Sequence, residues 1–280
     1  MFKSITKDNL NITQKIMHKL VVSIILLALI VMVVPRGYAQ IVEDGLVGYW
    51  SFDQIVGKTV KDGLKKHDGT IAKGNIKPAN NGKIGKALLF DGEPDFVEID
   101  GANDFIANAD FTWCAWIKTK EDLGGIVAKT PSEFDTDAQG AKTFFLNAGT
   151  LTFDTGWVGV IDGLKTVNDD KWHYVAVSAE FKDINATLQF YVDGKKDFQG
   201  PMAVGQHPED DFPILIGLDP RVFAEGDAIS APFNGLIDEV SVYDRVLTED
   251  DIRQNFESDK GLSVEVVGKL AVTWGSLKNK

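Results

Sequence analysis

The chain has 280 residues, with 29 Lys and Arg against 41 Asp and Glu, a formal net charge of −12 and a single cysteine. That acidity argues against a surface built to attract nucleic acid or anionic lipid. One cysteine, Cys114, excludes an intrachain disulfide; set between Trp113 and Ala115 in a strand-like run, it reads as a small buried hydrophobe.

The first residues read as a targeting segment. Met17-His18-Lys19 is a short basic stretch, Leu20 to Val34 carries no charge, and Pro35-Arg36-Gly37-Tyr38-Ala39 places small residues at the −3 and −1 positions of a cut after Ala39. The apolar run is shorter than the ~20 residues that span a membrane. Residues 1–39 are therefore expected to be a cleaved signal peptide and the protein secreted. An uncleaved N-terminal membrane anchor is the alternative, with Arg36 holding the run in place. No cysteine follows the segment closely, which argues against a lipoprotein. Removing residues 1–39 leaves 24 basic against 40 acidic residues, a net charge of −16. Oxygen-rich cation sites are one use of such a surface, and plain solubility is the other.

Beyond Ala39, helical periodicity is nearly absent. Short runs rich in Val, Ile, Phe, Tyr and Trp alternate with Gly, Asp and Asn. In chain order the expected strands are 45–52, 87–90, 96–99, 111–118, 125–128, 143–147, 151–154, 172–180, 187–192, 214–217 and 235–243. Asp193-Gly194 follows the run Leu188–Val192 directly and marks a hairpin turn, since both positions suit φ > 0. So many strands without intervening helices predict an all-β fold: two antiparallel sheets packed face to face as a jelly-roll sandwich. Residues 133–140 and 195–211 read as the two longest loops.

Near the C-terminus, Phe233-Asn234-Gly235 leads into Leu236–Tyr243. Under strict alternation, Leu236, Asp238, Val240 and Val242 share one face and Ile237, Glu239, Ser241 and Tyr243 the other. Asp238 is then a lone carboxylate on an apolar face, costly unless something pairs with it, and a bound cation is the first candidate. One helix follows: Thr248 caps it, Asp251 takes the return position of a capping box, and Leu247 packs onto Ile252. Residues 259–280 alternate around Gly268-Lys269 and read as an appended β-type tail, so the main domain is expected over 40–258.

These pieces together resemble a known family. Leu46-Val47-Gly48-Tyr49-Trp50-Ser51-Phe52-Asp53 is followed by Val60-Lys61-Asp62-Gly63 and His67-Asp68-Gly69-Thr70. Next come Gly82–Gly92, Phe96-Val97-Glu98-Ile99, Phe111–Ile117, Trp172–Ala176, Phe190–Gly194 and Asn234–Val240. In this order and spacing, over about residues 45–257, the set resembles the laminin-G-like domains of the concanavalin A-like lectin/glucanase superfamily. The resemblance implies a concanavalin A-like jelly roll in a secreted or surface protein that binds polysaccharide or another extracellular protein. It also implies one structural calcium ion where the first and last strands meet. Carried onto this chain, the ligands would be Asp53 and Asp238, with oxygens at Asp91-Gly92 or Asp68-Gly69 completing the set. The loop Asp62-Gly63-Leu64-Lys65-Lys66-His67 carries two lysines where relatives favour Ser, Asn and Gly.

The same superfamily includes glycoside hydrolases. Retaining enzymes need two carboxylates about 5–5.5 Å apart, and the nearest approach here, Glu98-Ile99-Asp100, lacks the final Glu of an alternating catalytic run. His18, His67, His173 and His207 have no metal-ligand spacing, and no nucleophile elbow, phosphate loop or dinucleotide fingerprint occurs. His173 reads as a framework residue rather than a base. The chain is thus expected to be a non-catalytic recognition module. A structural or adhesion scaffold without a small ligand is the alternative, and a glycosidase the more remote one. Trp157, between Gly156 and Val158, is the candidate platform for a sugar ring. Trp50, Trp113, Trp116 and Trp172 sit in strand patterns and read as core. Glu209-Asp210-Asp211 reads as a solvated loop.

Overall fold

The computed structural model describes residues 17–19, 40–101, 109–131, 141–155, 159–182, 185–203, 212–224 and 227–262. Two units divide the chain, Met1–Tyr38 and Ala39–Lys280. In the first, Met17–Lys19 are helical.

The second is a sandwich. Its strands are β1 Leu46–Trp50, β2 Ile55–Val56, β3 Thr59–Val60, β4 Gly69–Lys73, β5 Lys77–Ala79, β6 Ala87–Asp91 and β7 Phe96–Ile99. They continue as β8 Phe111–Thr119, β9 Gly124–Lys129, β10 Lys142–Asn147, β11 Thr150–Asp154, β12 Val160–Thr166 and β13 His173–Lys182. The last are β14 Asn185–Val192, β15 Lys195–Ala203, β16 Ile214–Ile216, β17 Leu218–Ala224, β18 Asp227–Pro232 and β19 Asn234–Tyr243, before helix α1, Glu249–Glu257. One antiparallel sheet runs β15-β14-β13-β8-β19-β6-β5, with β1 added against β19; the other runs β12-β11-β10-β9-β16-β7-β4-β3-β2. β17 and β18 pair as a separate hairpin. The expected all-β jelly-roll sandwich of two antiparallel sheets is the observed fold.

Alternation explains the two layers. Trp50, Trp113, Phe144, Phe153, Phe190 and Ile237 face inward into one cluster between the sheets. Phe111, Trp113 and Phe153 pack with ring centroids 5.0 to 5.8 Å apart. Each such ring contributes ~1.5–3 kcal/mol by burial alone, which accounts for how a chain without disulfides holds together. The outward face of the first sheet bears a second cluster, including Tyr49, Cys114, Trp116, Tyr174 and Tyr243, completed by Leu247 and Ile252 together with Ile41 and Val42. Helix α1 begins as its sequence dictates. Thr248 Oγ1 accepts from the Asp251 N–H (3.1 Å) and Asp251 Oδ2 accepts from the Thr248 N–H (3.0 Å). Trp50, Trp113, Trp116 and Cys114 are buried as expected, while Trp172 is only partly so.

Two expectations need correction. Residues 195–203 are a strand, not the start of a long loop: Lys195 to Ala203 pair along all of β14. Their polar composition and Pro201 fit because β15 is an edge strand, with partners on one side only. Secondly, β19 does not alternate strictly. Its register against β8 shifts between Asp238 and Ser241, and Glu239 there takes φ 52°. This bulge inserts one residue and resets the phase. Ile237, Val240 and Val242 all reach the inter-sheet core, and Asp238 points away from it, paired with Trp116 of the outer cluster. The expected tail over 259–280 and the loop 133–140 lie mostly or wholly outside the described residues.

Candidate functional site

The bulge places two acids where the first and last strands meet. Asp238 is fully buried and Glu239 is 5% exposed. Asp238 Oδ1 accepts from the Glu239 N–H (2.9 Å) and Oδ2 from the Ile84 N–H (3.0 Å), with a further bond from the Lys83 amide. Burial, reinforced by the charge of Glu239, pushes the Asp238 carboxyl up to about 8. Burial also raises Glu239 to about 8, although the Tyr49 hydroxyl donates to its Oε2. Burial and the Glu239 charge in turn hold the Tyr49 phenol far above its ordinary value. No lysine or arginine among the described residues pairs with either acid. The nearby Lys83 instead stands over the Trp116 ring, 4.0 Å from its centroid.

Asp53 joins this junction from the end of β1. Its Oδ1 accepts from the Lys86 N–H at 2.8 Å, so Asp53 and Asp238 clip the same segment, Gly82–Lys86, from two sides. Asp91 is not brought there. It pairs with Asn234 at the far end of the β6–β19 ladder, while Leu88 pairs with Ile237; at ~3.3 Å per residue this leaves Asp91 about 13 Å from Asp238. Its Oδ1 accepts from the Glu93 N–H (3.2 Å) in a local turn. Among the described residues, no three His, Cys, Asp or Glu side chains group as a metal centre.

Beside the junction opens a cleft of about 600 Å³, lined among others by Tyr49, Asp53, Lys61, Asp68, Glu239 and Lys260. One wall is the loop after β3, and one residue builds it. Asp62, 3% exposed, accepts from the N–H groups of Tyr49 and Leu64 on Oδ1 and of Lys66 and His67 on Oδ2. Asp62 stands in the motif Val60-Lys61-Asp62-Gly63, whose pattern alone assigns it no role. The signal was there, an Asp-Gly opening a short polar loop.

A second polar area lies on the outward face of the other sheet. Phe144 and Phe153 point into the core, so their neighbours Thr143 and Asp154, which pair directly, point outward. Thr152 and Asp162 are the next outward pair, and Thr152 Oγ1 donates to Asp162 Oδ1 at 2.7 Å. The hydroxyl of Thr143 is buried with no hydrogen-bond partner among the described residues. The adjoining part of this face, Phe96, Ala128 and Leu215, is apolar and packed with Leu218 of β17. Trp157 belongs to the β11–β12 connection and lies outside the described residues. Glu98 is half-buried and its carboxyl is raised by burial and by Asp100.

His173 sits between two acids, with Nδ1 3.0 Å from Asp193 Oδ2 and Nε2 3.0 Å from Asp169 Oδ1. Asp193 is the hairpin-turn residue at φ 53° and also meets Lys165 at 2.9 Å. The bond to Asp193 raises the imidazole above its ordinary value, against the effect of burial and with help from Asp169. Burial opposes ionisation of Asp193, but the bonds from His173 and Lys165 outweigh it and bring the carboxyl down to about 2. The signs follow from linkage. The histidine's contribution is complete below its unfolded value of ~6.5 and is lost as pH rises through the raised folded value. That of Asp193 is present above ~3.9 and is lost as pH falls through about 2. Urea midpoints measured from pH 6 to 9 should therefore fall more steeply in the wild type than in His173→Gln. Equal slopes would show that the imidazole is not held in its charged form.

A laminin-G family model of the concanavalin A-like lectin/glucanases superfamily matches residues 91–253. No curated protein sequence matches the chain. Among solved structures, it resembles domain 4 of AbnA, a GH43 extracellular arabinanase from Geobacillus stearothermophilus, in complex with arabinotriose, with TM-score 0.55 and 20% identity over 76% of this chain and 99% of that one. Trypanosoma rangeli sialidase in complex with sialic acid matches with TM-score 0.55 and 19% identity over 76% of this chain, which spans only 33% of the sialidase. A structure of botulinum neurotoxin type C, whose cell entry depends upon interaction with two ganglioside molecules, matches with TM-score 0.53 and 14% identity over 77% of this chain and 51% of that one. At these identities the likeness is one of fold.

Proposed function

The chain belongs to the laminin-G-like proteins of the concanavalin A-like lectin/glucanase superfamily, and we propose that it is a secreted, non-catalytic recognition module for oligosaccharide. The observation that carries this is the polar half of the outward sheet face, where exposed Asp162 and half-buried Asp154 stand beside the buried hydroxyls of Thr143 and Thr152. Carboxylates on a rigid sheet suit the hydroxyl groups of a sugar, and Trp157, which the sequence puts between β11 and β12, is the aromatic proposed to supply a surface for the ring. The neighbours that hold arabinotriose or sialic acid lend support to the class of ligand. Against a panel of oligosaccharides, the secreted protein should bind at least one. Asp162→Ala and Trp157→Ala should each weaken that binding tenfold or more, about 1.4 kcal/mol. Binding unaffected by both variants would place the ligand elsewhere, and no binding at all would favour the scaffold reading. Hydrolysis of the panel, lost in Glu98→Gln, would instead make the protein a glycosidase.

The acid junction suits a structural calcium ion in its donor chemistry. Asp53 and Asp238 supply carboxylate oxygens, and the raised carboxyls of Asp238 and Glu239 mark buried acids that no lysine or arginine among the described residues offsets. The amides on both Asp238 oxygens compete for the same lone pairs. Calcium there would pin β1, β19 and the 82–86 segment together. Calcium at a hundredfold excess over its dissociation constant should stabilise the protein by about 2.7 kcal/mol, raising Tm by roughly 5–10 °C. Asp238→Ala should abolish the rise and Asp91→Ala should leave it intact. An unchanged response in Asp238→Ala would remove Asp238 from the ligand set.

A further inference from the structure

We infer that Gln40 becomes the first residue of the mature protein and closes on itself to a pyroglutamyl terminus. The inference rests on the secretion proposed above, and the fold adds what the targeting motif alone does not. The compact unit begins at Ala39, and it is tied down almost from Gln40, its first described residue. Ile41 and Val42 are each 8% exposed in the outer cluster. The Val42 N–H donates to Asn255 Oδ1 (2.8 Å), and its carbonyl accepts from the Tyr243 hydroxyl (3.0 Å). That hydroxyl in turn accepts from Asn255 Nδ2 (3.0 Å). One residue upstream, the Gln40 carbonyl accepts from Gln254 Nε2 (2.9 Å).

A cut after Ile41 would strip a buried apolar side chain, and a cut after Val42 would also remove the main-chain partners of Asn255 and Tyr243, leaving those two side chains only each other. A cut after Ala39 keeps every one of these bonds and leaves the exposed residue Gln40 at the terminus. An N-terminal glutamine carries nucleophile and electrophile in one side chain's reach. The α-amine, with an ordinary value near 7.7–8.0, is partly neutral at physiological pH, and closing a five-membered ring brings it onto Cδ at the cost of side-chain rotations alone, with no bimolecular encounter. The new bond joins the α-nitrogen to Cδ. The bond from Cδ to Nε2 breaks, a proton passes from the α-amine to the departing nitrogen, and ammonia leaves. No co-reactant is needed. The main-chain carbonyl of Gln40 takes no part, so its bond from Gln254 survives. The product loses a positive charge and presents no free amine to aminopeptidases.

The test is intact-mass and N-terminal peptide spectrometry on protein taken at harvest from the medium of a secreting host, expressed with its own residues 1–39. The expected peptide begins at residue 40, is lighter by one ammonia and resists N-terminal sequencing. Gln40→Ala should begin at the same position with a free amine. A peptide beginning at Gln40 with its amine intact would overturn the cyclisation and leave secretion standing, as would a block that persists in Gln40→Ala. A start at another residue would overturn the cut after Ala39 and the cyclisation but not secretion, and retention of residues 1–39 would overturn the cleaved signal peptide as well.

Discussion

Asp62→Ala should cost about 3 kcal/mol of stability, an effect out of proportion to a single side chain in a surface loop. Its carboxylate is the acceptor for four main-chain N–H groups, those of Tyr49, Leu64, Lys66 and His67. The Tyr49 amide belongs to buried β1 and has no route to water once the acceptor is gone; an unmade bond at a buried donor costs ~1–3 kcal/mol. The others are more exposed and recover part of their loss by hydration. Asp62→Asn keeps one acceptor oxygen but turns an NH₂ group toward two N–H donors, so it should still cost about 2 kcal/mol. Lys61→Ala is the control in the same loop: its pair with Asp68 is exposed on both sides and should contribute no more than ~0.5 kcal/mol. Urea unfolding of the three variants decides the matter. An Asp62→Ala protein within 1 kcal/mol of wild type would mean that the loop stands without its central acceptor. Because that loop walls the cleft beside Tyr49 and Glu239, its loosening should also change the environment of the Tyr49 ring.

The strands legible in the sequence were those whose burial follows a two-residue period. Phe96–Ile99 is found with the expected bounds, and Phe111–Thr119 with one residue more. What escaped was structure whose residues answer to something other than the core. β15 is polar because one of its edges faces solvent. β12 carries exposed Val160 and Leu164 and is held at its middle by Asp197 from β15, whose oxygens accept from the Leu164 (2.8 Å) and Lys165 (3.1 Å) amides. That link joins the edges of the two sheets and has no signature in local sequence. The site was legible in its residues but not in its arrangement. Asp53 and Asp238 were named from the motifs that carry them, yet the face that Asp238 occupies is set by one positive φ at Glu239. A bulge at a non-glycine residue leaves no mark in a hydrophobic pattern. Asp91 failed to join the others for a simpler reason, since the ladder fixes it several residues away from the junction.

Gly235→Ala should be the most damaging single-methyl addition in the last strand, at about 4 kcal/mol. Gly235 lies at φ 140°, and a Cβ there would stand 2.2 Å from the Lys118 carbonyl oxygen and 3.2 Å from the Thr119 Cα. These are backbone atoms of β8, and β19 is held against β6 on its other side, so no side chain can swing away and β19 must shift bodily. The contact compounds a conformation that L-residues rarely adopt; strain of that kind alone costs ~1–3 kcal/mol, and overpacking a rigid core adds a similar amount. Gly57→Ala separates the two terms. Gly57 has φ 64° but nothing within 4 Å of the added methyl, so it should lose only about 1 kcal/mol. The displacement should also reach the acid junction, because Asp238 follows three residues later and meets the Ile84 amide at 3.0 Å only in the present register. Gly235→Ala is thus expected to lower the unfolding midpoint sharply and to blunt any calcium response, while Gly57→Ala preserves it. Equal losses in the two variants would mean that the close approach of β19 to β8 is not what requires glycine at this position.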